Sequence, residues 1–179
     1  MQQISMNKPR TVTQWLELYR LYMEAFPAEE RKPTWMILKM YQKGKTDIWC
    51  LEKEGRFLGL GITINGDDMI LLDYFAVKKK HRGIGIGSAA LKTLIRHYTG
   101  KGFFLEIEST LENAPNQLQR EKRKRFYLAA GLKELHVTAK LFGVNMELLG
   151  VDCQLTYSAY KNFYRENYSE WAANHISEC

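Results

Sequence analysis

Hydrophobic and polar residues along the 179-residue chain follow two different periods, which divide it into predicted helices and strands. Apolar residues recur every three or four positions from 11 to 26 and again from 34 to 44, which predicts two amphipathic helices. Short β-prone runs then replace this spacing at 47–53, 57–64 and 69–77, with glycine-containing turns between them. The first part of the chain is therefore predicted to form two helices followed by a three-stranded meander.

The remainder of the chain alternates between the two periods before it ends in an aromatic segment. The predicted elements are, in order, a helix at 86–98, a strand at 103–109, a helix at 117–130, two strands of a hairpin at 133–142 and 144–149, and an amphipathic helical segment at 157–171. A weak alternation over Met1–Met6 predicts an additional edge strand. Helices and strands mixed in this order predict an α/β (α+β) fold.

One stretch joins a predicted strand to a predicted helix through a basic segment and a glycine-rich loop. Ile70–Val77 is apolar and β-prone, Lys78–Arg82 is basic, and Gly83, Gly85 and Gly87 alternate with isoleucines before the helix begins. Glycines at alternate positions let backbone N–H groups approach a ligand closely and let the chain adopt positive φ. Since the first N–H groups of a helix lack intrahelical partners and the helix dipole favours negative charge, this loop predicts a phosphate site.

Two well-known phosphate-binding motifs fit this loop poorly. A P-loop requires a lysine after its last glycine, and none follows Gly87, whereas the dinucleotide fingerprint would need a glycine where Ser88 stands. The segment instead reads R-x-x-G-x-G at Arg82–Gly87, and a second motif, F-Y-x-x-x-G-L, lies at Phe126–Leu132. On these two motifs the chain resembles the GNAT-type N-acetyltransferases, roughly from residue 15 to residue 151.

This resemblance implies a fold, a domain boundary and a co-substrate. The implied fold is the GNAT-type three-layer fold, a mixed central sheet of about six to seven strands flanked by about four helices, with a C-terminal helical appendage. Residues 1–151 would form the N-acetyltransferase domain, and 152–179 would pack on it or on the second subunit of a homodimer. Acetyl-CoA is the implied co-substrate. The residues that would hold its pantetheine arm and diphosphate are Phe75, Ala76, Val77, Arg82, Gly83, Ile84, Gly85, Ile86, Gly87 and Ser88.

The resemblance also suggests catalytic residues. Tyr127 of the second motif corresponds to the tyrosine that commonly serves as general acid in the family. Histone-type members carry a catalytic carboxylate on the strand before the loop, but the matching position here is Leu71. Asp73, two residues further on and on the same strand face, is therefore one candidate base. Glu106 and Glu108 are the other candidates, because both lie on one face of an otherwise apolar strand. A carboxylate is costly to bury in such a place unless it has a partner or a function.

The sequence defines the binding site for the acceptor amine less well than the site for acetyl-CoA. In the family, the region between the first two helices commonly borders the acceptor pocket, so Glu29, Glu30 and Arg31 are candidates for substrate binding, with a solvated turn as the competing interpretation. The glutamates at 106 and 108 also have a competing interpretation, as partners of nearby lysines or arginines. A strand with E-x-E before a basic helix resembles a bacterial subset of the family whose acceptors are often unassigned.

Composition and charge limit which class of protein, which metal and which partners can be expected. Hydrophobic residues make up 45% and charged residues 26% of the chain, as in ordinary globular proteins, and no apolar run approaches the roughly 20 residues that span a bilayer. The three cysteines, with Cys50 expected in the core, and the four histidines show no metal-ligand spacing, so no metal is expected. Much of the net charge of +6 lies next to the glycine loop and at 120–125, where it can border an anionic co-substrate. We therefore expect no nucleic acid and no membrane as partner.

The sequence predicts a cytoplasmic enzyme that moves an acetyl group from acetyl-CoA to a primary amine of a small molecule or peptide, by direct transfer in a ternary complex. A non-catalytic acyl-CoA-binding regulatory module is the alternative, because Leu71 stands where histone-type members have a carboxylate. A nucleic-acid binder is a third hypothesis, motivated by charge alone. Nothing in the sequence selects the acceptor amine.

Overall fold

The computed structural model describes residues 4–179, which contain six α-helices and eight β-strands. The helices are α1 (Val12–Ala25), α2 (Thr34–Gln42), α3 (Ile86–His97), α4 (Gln117–Ala129), α5 (Tyr157–Asn167) and α6 (Glu170–Asn174). The strands are β1 (Ser5–Asn7), β2 (Thr46–Lys53), β3 (Arg56–Asn65), β4 (Met69–Val77), β5 (Gly102–Glu108), β6 (Lys133–Leu141), β7 (Val144–Val151) and β8 (Ile176–Glu178). Two 3₁₀ turns lie at Ala28–Glu30 and Lys79–His81.

The strands hydrogen-bond in the order β1-β2-β3-β4-β5-β7-β6-β8. The β4–β5 pair is parallel, whereas β7 pairs antiparallel with both β5 and β6, so the sheet is mixed. The predicted α/β (α+β) class with a mixed central sheet is confirmed. The predicted number of strands is slightly too low, mainly because the C-terminal extension contributes the short strand β8. α1–α4 are the four predicted flanking helices, and α5 and α6 form the predicted helical appendage. Of the edge strand predicted over Met1–Met6, residues 1–3 lie outside the described part of the chain, and β1 begins at Ser5.

The chain folds into two compact units. The first comprises residues 4–65 together with Leu72–His97. In its core, the inward face of α1, formed by Leu18, Leu21 and Tyr22, packs with buried apolar residues of β2, β3 and β4. The apolar period at the start of the sequence therefore marks the buried face of α1.

Local sequence sets the element boundaries in this unit. α1 begins with a capping box, in which the Thr11 hydroxyl accepts a hydrogen bond from the Gln14 N–H and the Gln14 side chain accepts one from the Thr11 N–H. β2 and β3 are joined by Glu54 and Gly55, whose φ angles of 52° and 72° are those of a two-residue hairpin turn. Both features follow from residues that are close in sequence, and the predicted hairpin is confirmed.

A close approach fixes the end of β4 against β3. A Cβ at Gly59 would lie 2.4 Å from the carbonyl oxygen of Ala76, so only glycine fits there. Just beyond it, the Lys78 N–H donates to the Leu58 carbonyl at 2.9 Å. β3 therefore holds the backbone at the C-terminal end of β4, from which the glycine loop departs.

The second unit comprises Gly66–Leu71 and Tyr98–Cys179. Its strand β5 pairs in parallel with the first residues of β4 and antiparallel with β7. α5 packs its aromatic stripe on β5, with the rings of Tyr160 and Phe163 centred 6.3 and 5.2 Å from the ring of Phe104. These edge-on contacts help to bury Tyr160 and Phe163 inside the unit.

The extension differs from its prediction in one respect. It contains the predicted helical segment but ends in β8, which pairs antiparallel with β6. The aromatic residues that motivated the homodimer are used within this unit, and the homodimer stays a prediction. Among residues 4–179, no helix combines the length and the apolar character needed to cross a membrane.

Candidate functional site

The loop between β4 and α3 carries the glycine-rich motif. Gly83 and Gly85 have φ angles of +79° and +83°, a region that residues with a side chain rarely adopt. A Cβ built on either glycine meets no described atom within 4 Å. The backbone conformation, rather than crowding, therefore requires glycine, and the open space around the loop leaves room for a ligand.

The start of α3 adds hydrogen-bond donors to this loop. The Ala89 N–H donates to the Gly85 carbonyl at 3.0 Å, which is a first-turn hydrogen bond of the helix. The N–H groups of Ile86, Gly87 and Ser88 precede it and have no carbonyl four residues back within the helix. Together with the helix dipole, these main-chain donors favour an anion such as a phosphate.

Two lysines of the basic segment before the loop form ion pairs with glutamates of α1. Lys78 Nζ lies 2.9 Å from Glu17 Oε1, and Lys79 Nζ lies 3.6 Å from Glu24 Oε1. Arg82 Nε donates to the last carbonyl of β4 at 2.8 Å, which holds the guanidinium at the strand end. Arg82 still has further N–H groups with which it can bind a phosphate oxygen.

The main chain of Phe75–Val77 leads into this loop. Parallel pairing with β5 joins Met69–Leu71 to Gly102–Phe104, and β4 then continues to Val77. Phe75–Val77, the strand end predicted to pair with the pantetheine arm, are the last residues of β4. Leu71, the position of the histone-type carboxylate, is fully buried.

Asp73 is bound by a lysine from the segment before α2. Lys32 Nζ lies 2.5 and 2.7 Å from the two carboxylate oxygens of Asp73, whose side chain is only 7% exposed. Uptake of a proton by Asp73 would remove the negative charge that Lys32 pairs with, at a site largely closed to water. The ion pair therefore makes Asp73 a weaker candidate base than its place in the sequence suggests.

The three residues predicted to bind the acceptor lie on or next to the 3₁₀ turn between α1 and α2. Glu29 and Glu30 are exposed, and Arg31 is half-buried. The Arg31 guanidinium donates to the Met23 carbonyl at 3.3 Å, which ties it back to α1. Their role in binding a substrate stays a prediction.

Two buried tyrosines hold the backbone of this turn. The Tyr74 hydroxyl donates to the Glu30 carbonyl at 2.8 Å and accepts from the Lys32 N–H at 3.0 Å. The Tyr22 hydroxyl donates to the Lys32 carbonyl at 2.9 Å. Burial, reinforced by the charge of Asp73, raises the pKa of Tyr74, so it remains a neutral hydrogen-bonding group.

Glu106 accepts hydrogen bonds from two tyrosines of α5. The hydroxyl oxygens of Tyr160 and Tyr164 lie 2.6 and 2.8 Å from the same carboxylate oxygen, Oε1. Four residues apart on one helix, the two tyrosines share a helix face. That spacing was visible in the sequence, but its partner was not, because Tyr160 lies 54 residues after Glu106.

Glu108 is bound by α4 instead. Arg120 Nη2 lies 2.7 Å from Glu108 Oε1, and Arg123 Nη1 lies 3.8 Å from Oε2. The Asn116 side-chain amide adds a longer hydrogen bond to Oε2, at 3.5 Å. The arginine pairing considered for these glutamates is therefore present for Glu108, and a catalytic role for Glu108 stays a prediction.

Tyr127 lies in the last turn of α4. Its side chain is half-buried, and its ring is centred 5.2 Å from that of Phe126. Burial raises the pKa of Tyr127, and the charge of Arg123 offsets only part of the rise, so the phenol is protonated at neutral pH. No hydrogen bond to its hydroxyl occurs within residues 4–179, so this proton is available to a ligand.

Sequence reasoning missed an ion-pair cluster that ties α4 to β7. Lys124 Nζ contacts Glu147 Oε2 and lies 3.1 Å from Glu134 Oε2, while the Thr110 hydroxyl donates to Glu147 Oε1 at 2.7 Å. Burial would raise the pKa of Glu147, but the hydrogen bonds from Lys124 and Thr110 outweigh it and lower the pKa. Burial would likewise lower the pKa of Lys124, and its two carboxylate partners raise it.

A mixed sheet with a glycine-rich loop between a strand and a helix, and a tyrosine at the end of a later helix, are features of an acyltransferase fold. The acetyltransferase (GNAT) family model matches residues 15–127, which is more than half of the chain. The chain belongs to the GNAT acetyltransferase family, and the predicted acyltransferase class is confirmed. No curated protein matches the sequence at a significant level.

Solved structures share the fold at low sequence identity. A protein from Bacteroides thetaiotaomicron assigned to the GNAT family is 17% identical, with 96% of this chain and 98% of that chain covered and a TM-score of 0.76. The ribosomal-protein-S18-alanine N-acetyltransferase of Escherichia coli is 16% identical, with 86% and 96% covered and a TM-score of 0.61. A GNAT-family acetyltransferase from Elizabethkingia anophelis with acetyl-CoA bound is 16% identical, with 84% and 98% covered and a TM-score of 0.60.

Proposed function

We propose that the protein is an N-acetyltransferase that moves an acetyl group from acetyl-CoA to a primary amine of a small molecule or peptide, by direct transfer in a ternary complex. The observation that carries this proposal is the loop at Gly83–Gly87, where two glycines at positive φ lead into a helix start with open space around them. Family membership supports acetyl-CoA as the donor. So does the acetyl-CoA bound to the structural neighbour from Elizabethkingia anophelis.

The main chain would do most of the donor binding. The N–H groups of the loop and of the first turn of α3 bind the diphosphate, and Arg82 adds a charged contact at the strand end. The main chain of Phe75–Val77 pairs with the pantetheine arm like an added strand. Because these contacts hold the thioester in one position, they supply much of the rate through orientation.

The base must take a proton from the attacking amine. Asp73 and Glu108 are each bound by a cation, so a proton on either one would break an ion pair. Glu106 accepts hydrogen bonds from two neutral phenols, which can stay in place when the carboxylate becomes a carboxylic acid. On these two hydrogen bonds we assign the role of base to Glu106 among the three candidates.

The transfer then has two proton movements. The amine nitrogen attacks the thioester carbon while its proton passes to Glu106, directly or through one water. The carbon–sulfur bond breaks with its electron pair on sulfur, and the Tyr127 hydroxyl donates its proton to form the free thiol of CoA. Glu106 then releases the proton of the amine to solvent, and Tyr127 regains a proton from solvent, so both groups return to their starting states. The raised pKa of the Tyr127 phenol keeps it protonated before the next turnover.

Calorimetry with acetyl-CoA, followed by an assay of thiol release, tests this function. The acceptor panel contains spermidine, kanamycin, a peptide with an N-terminal alanine, and an N-acetylated peptide with one lysine. We expect saturable binding of acetyl-CoA and thiol release that depends on one class of amine. Failure to bind acetyl-CoA at millimolar concentration would exclude the proposal.

A regulatory acyl-CoA-binding module is the second candidate, and the fully buried, apolar Leu71 is the observation in its favour. This candidate predicts binding of acetyl-CoA without amine-dependent thiol release from any member of the panel. Mass spectrometry of the reacted amines distinguishes transfer from simple hydrolysis, because only transfer adds an acetyl group to the acceptor.

A further inference from the structure

We propose that Tyr160 and Tyr164 of the C-terminal extension are positioning residues of the catalytic site, which hold the Glu106 carboxylate ionised and in one orientation. This inference rests on the proposed function, since it takes Glu106 as the base. It also extends that function, because it makes a segment beyond the residues that match the family model a working part of the enzyme.

The contact has the geometry of two strong hydrogen bonds. At 2.6 and 2.8 Å, both oxygen–oxygen distances lie within the range of O–H···O hydrogen bonds, and the shorter one lies within the range of charge-assisted bonds to a carboxylate. An ionised carboxylate can only accept, so both phenols must donate to it. Tyr160 is 0% and Tyr164 is 2% exposed, so water does not compete for these donors.

Ring packing keeps the two hydroxyls in place. The Tyr160 ring lies edge-on to Phe104 of β5 at 6.3 Å and to Tyr164 at 5.3 Å. Tyr164 in turn stacks on Tyr168 at 4.8 Å. Neither ring can rotate away without breaking aromatic contacts, so the phenols fix the carboxylate relative to β5.

The strand neighbours of Glu106 in the second unit differ in kind from these two phenols. Its cross-strand neighbour on β7 is Leu148, which carries no charge. The nearest carboxylate on its own strand, Glu108, is paired with Arg120 and Arg123 of α4. From α5, the Tyr160 and Tyr164 hydroxyls reach the Glu106 carboxylate.

Removal of a hydroxyl should make the carboxyl hold its proton more tightly. Hydrogen bonds to the charged form of a carboxyl group favour that form, and two or three of them can lower the pKa of the group by about two units. Loss of one phenol donor should therefore move the Glu106 titration upward by about one pH unit. At neutral pH, less of the enzyme then has a base ready to accept a proton.

The experiment uses the full chain and the variants Y160F and Y164F, with Y157F as the matched control. Tyr157 is on the same helix, but its hydroxyl donates to the Ile176 carbonyl at 3.1 Å rather than to Glu106. Titration of ¹³C-labelled glutamate carboxyls by NMR, with the Glu106 signal assigned by its loss in E106Q, measures the midpoint without any substrate. We expect upward shifts of about one unit in Y160F and Y164F and none in Y157F.

The second readout is the pH profile of kcat with the best acceptor of the panel. Its ascending limb should move with the NMR midpoint in Y160F and Y164F, while the KM for acetyl-CoA remains unchanged. If Y160F does not fold, Y164F alone carries the test, because it leaves the more deeply buried Tyr160 in place.

The outcomes separate this inference from the function it rests on. An unchanged NMR midpoint in both variants would overturn the positioning role. A shifted midpoint with an unshifted kcat profile would overturn the catalytic part, because Glu106 would then not be the base. If the unmodified protein transfers no acetyl group, the proposed function fails instead, whatever the titration shows.

Discussion

The loop between β4 and α3 and the glutamates of β5 build their polar sites in opposite ways. In the loop, the donors are main-chain N–H groups, and their arrangement follows from glycines that are neighbours in sequence. On β5, Glu106 and Glu108 have the same side chain and lie two residues apart, yet one meets phenols and the other guanidinium groups. Identical residues on one strand therefore differ in chemistry because different helices supply their partners.

This difference shows which functional roles in a site can be assigned from a sequence motif alone. A motif that acts through the backbone has nearly the same effect in every chain that contains it, since N–H groups are the same in all residues but proline. A carboxylate acts through its partners, since charge and hydrogen bonding decide whether it can take a proton. Changes in the two regions should therefore have different consequences.

The largest effect is expected where a side chain supplies a proton. Y127F should lower kcat by about 10²–10⁴-fold, because it removes the proton donor while the ring keeps its packing. The affinity for acetyl-CoA should remain within about twofold, as measured by calorimetry, since the proton matters only once the carbon–sulfur bond breaks. Y157F is the matched control. Full turnover by Y127F with a good acceptor would exclude Tyr127 as the acid.

The next effect concerns stability. K124M should lower the free energy of unfolding by about 3 kcal/mol, because it leaves the buried Glu147 carboxylate without its cation. K122M, which changes an exposed lysine of the same helix, should stay within about 0.5 kcal/mol of the unmodified protein. Urea unfolding measures both values.

The pH dependence of this stability follows from the two shifts. The lowered pKa of Glu147 adds stability above its ordinary value of 4.5, and this is lost as pH falls through the folded-state pKa. The raised pKa of Lys124 adds stability below its ordinary value of 10.5, and this is lost as pH rises through the folded-state pKa. The difference between the unmodified protein and K124M should therefore be constant near neutral pH and shrink in acid. A difference that grows in acid would contradict the pairing.

The comparison within β5 is tested directly by E106Q and E108Q. We expect E106Q to lower kcat about 100-fold, because an amide cannot take the proton of the amine. E108Q should change kcat by less than about fivefold, because Glu108 forms ion pairs with Arg120 and Arg123 and is not expected to contact the substrate. The reverse order of effects in a kcat measurement would assign the base to Glu108.

The smallest effect is expected in the loop. G85V should weaken acetyl-CoA binding about thirtyfold, because a β-branched residue at positive φ costs roughly 2 kcal/mol and distorts the donors. Gly44 has a φ of +71° and equally open surroundings but lies in the turn after α2, so G44V carries a similar strain away from the loop. Equal losses of affinity in the two variants would show that strain alone, rather than the loop, accounts for the effect.

Much of the fold and part of the candidate site could be read from the sequence. The period of α1, the β2–β3 hairpin, the bounds of β4, the glycine loop and the position of Tyr127 near the end of α4 all depend on residues close together in the chain. Cys50, expected in the core, is indeed fully buried, and burial raises its pKa to about 12. Local main-chain geometry and apolar spacing determine such features, so no distant contact is needed to predict them.

The partners of the carboxylates were decided only by the tertiary structure. Lys32 reaches Asp73 across 41 residues, and Tyr160 reaches Glu106 across 54, so no local pattern connects either pair. β8 was not predicted, because a three-residue strand forms only where a neighbouring strand pairs with it. A polar side chain gains its chemistry from whatever the folded chain places beside it, and that choice is made by the packing of whole elements.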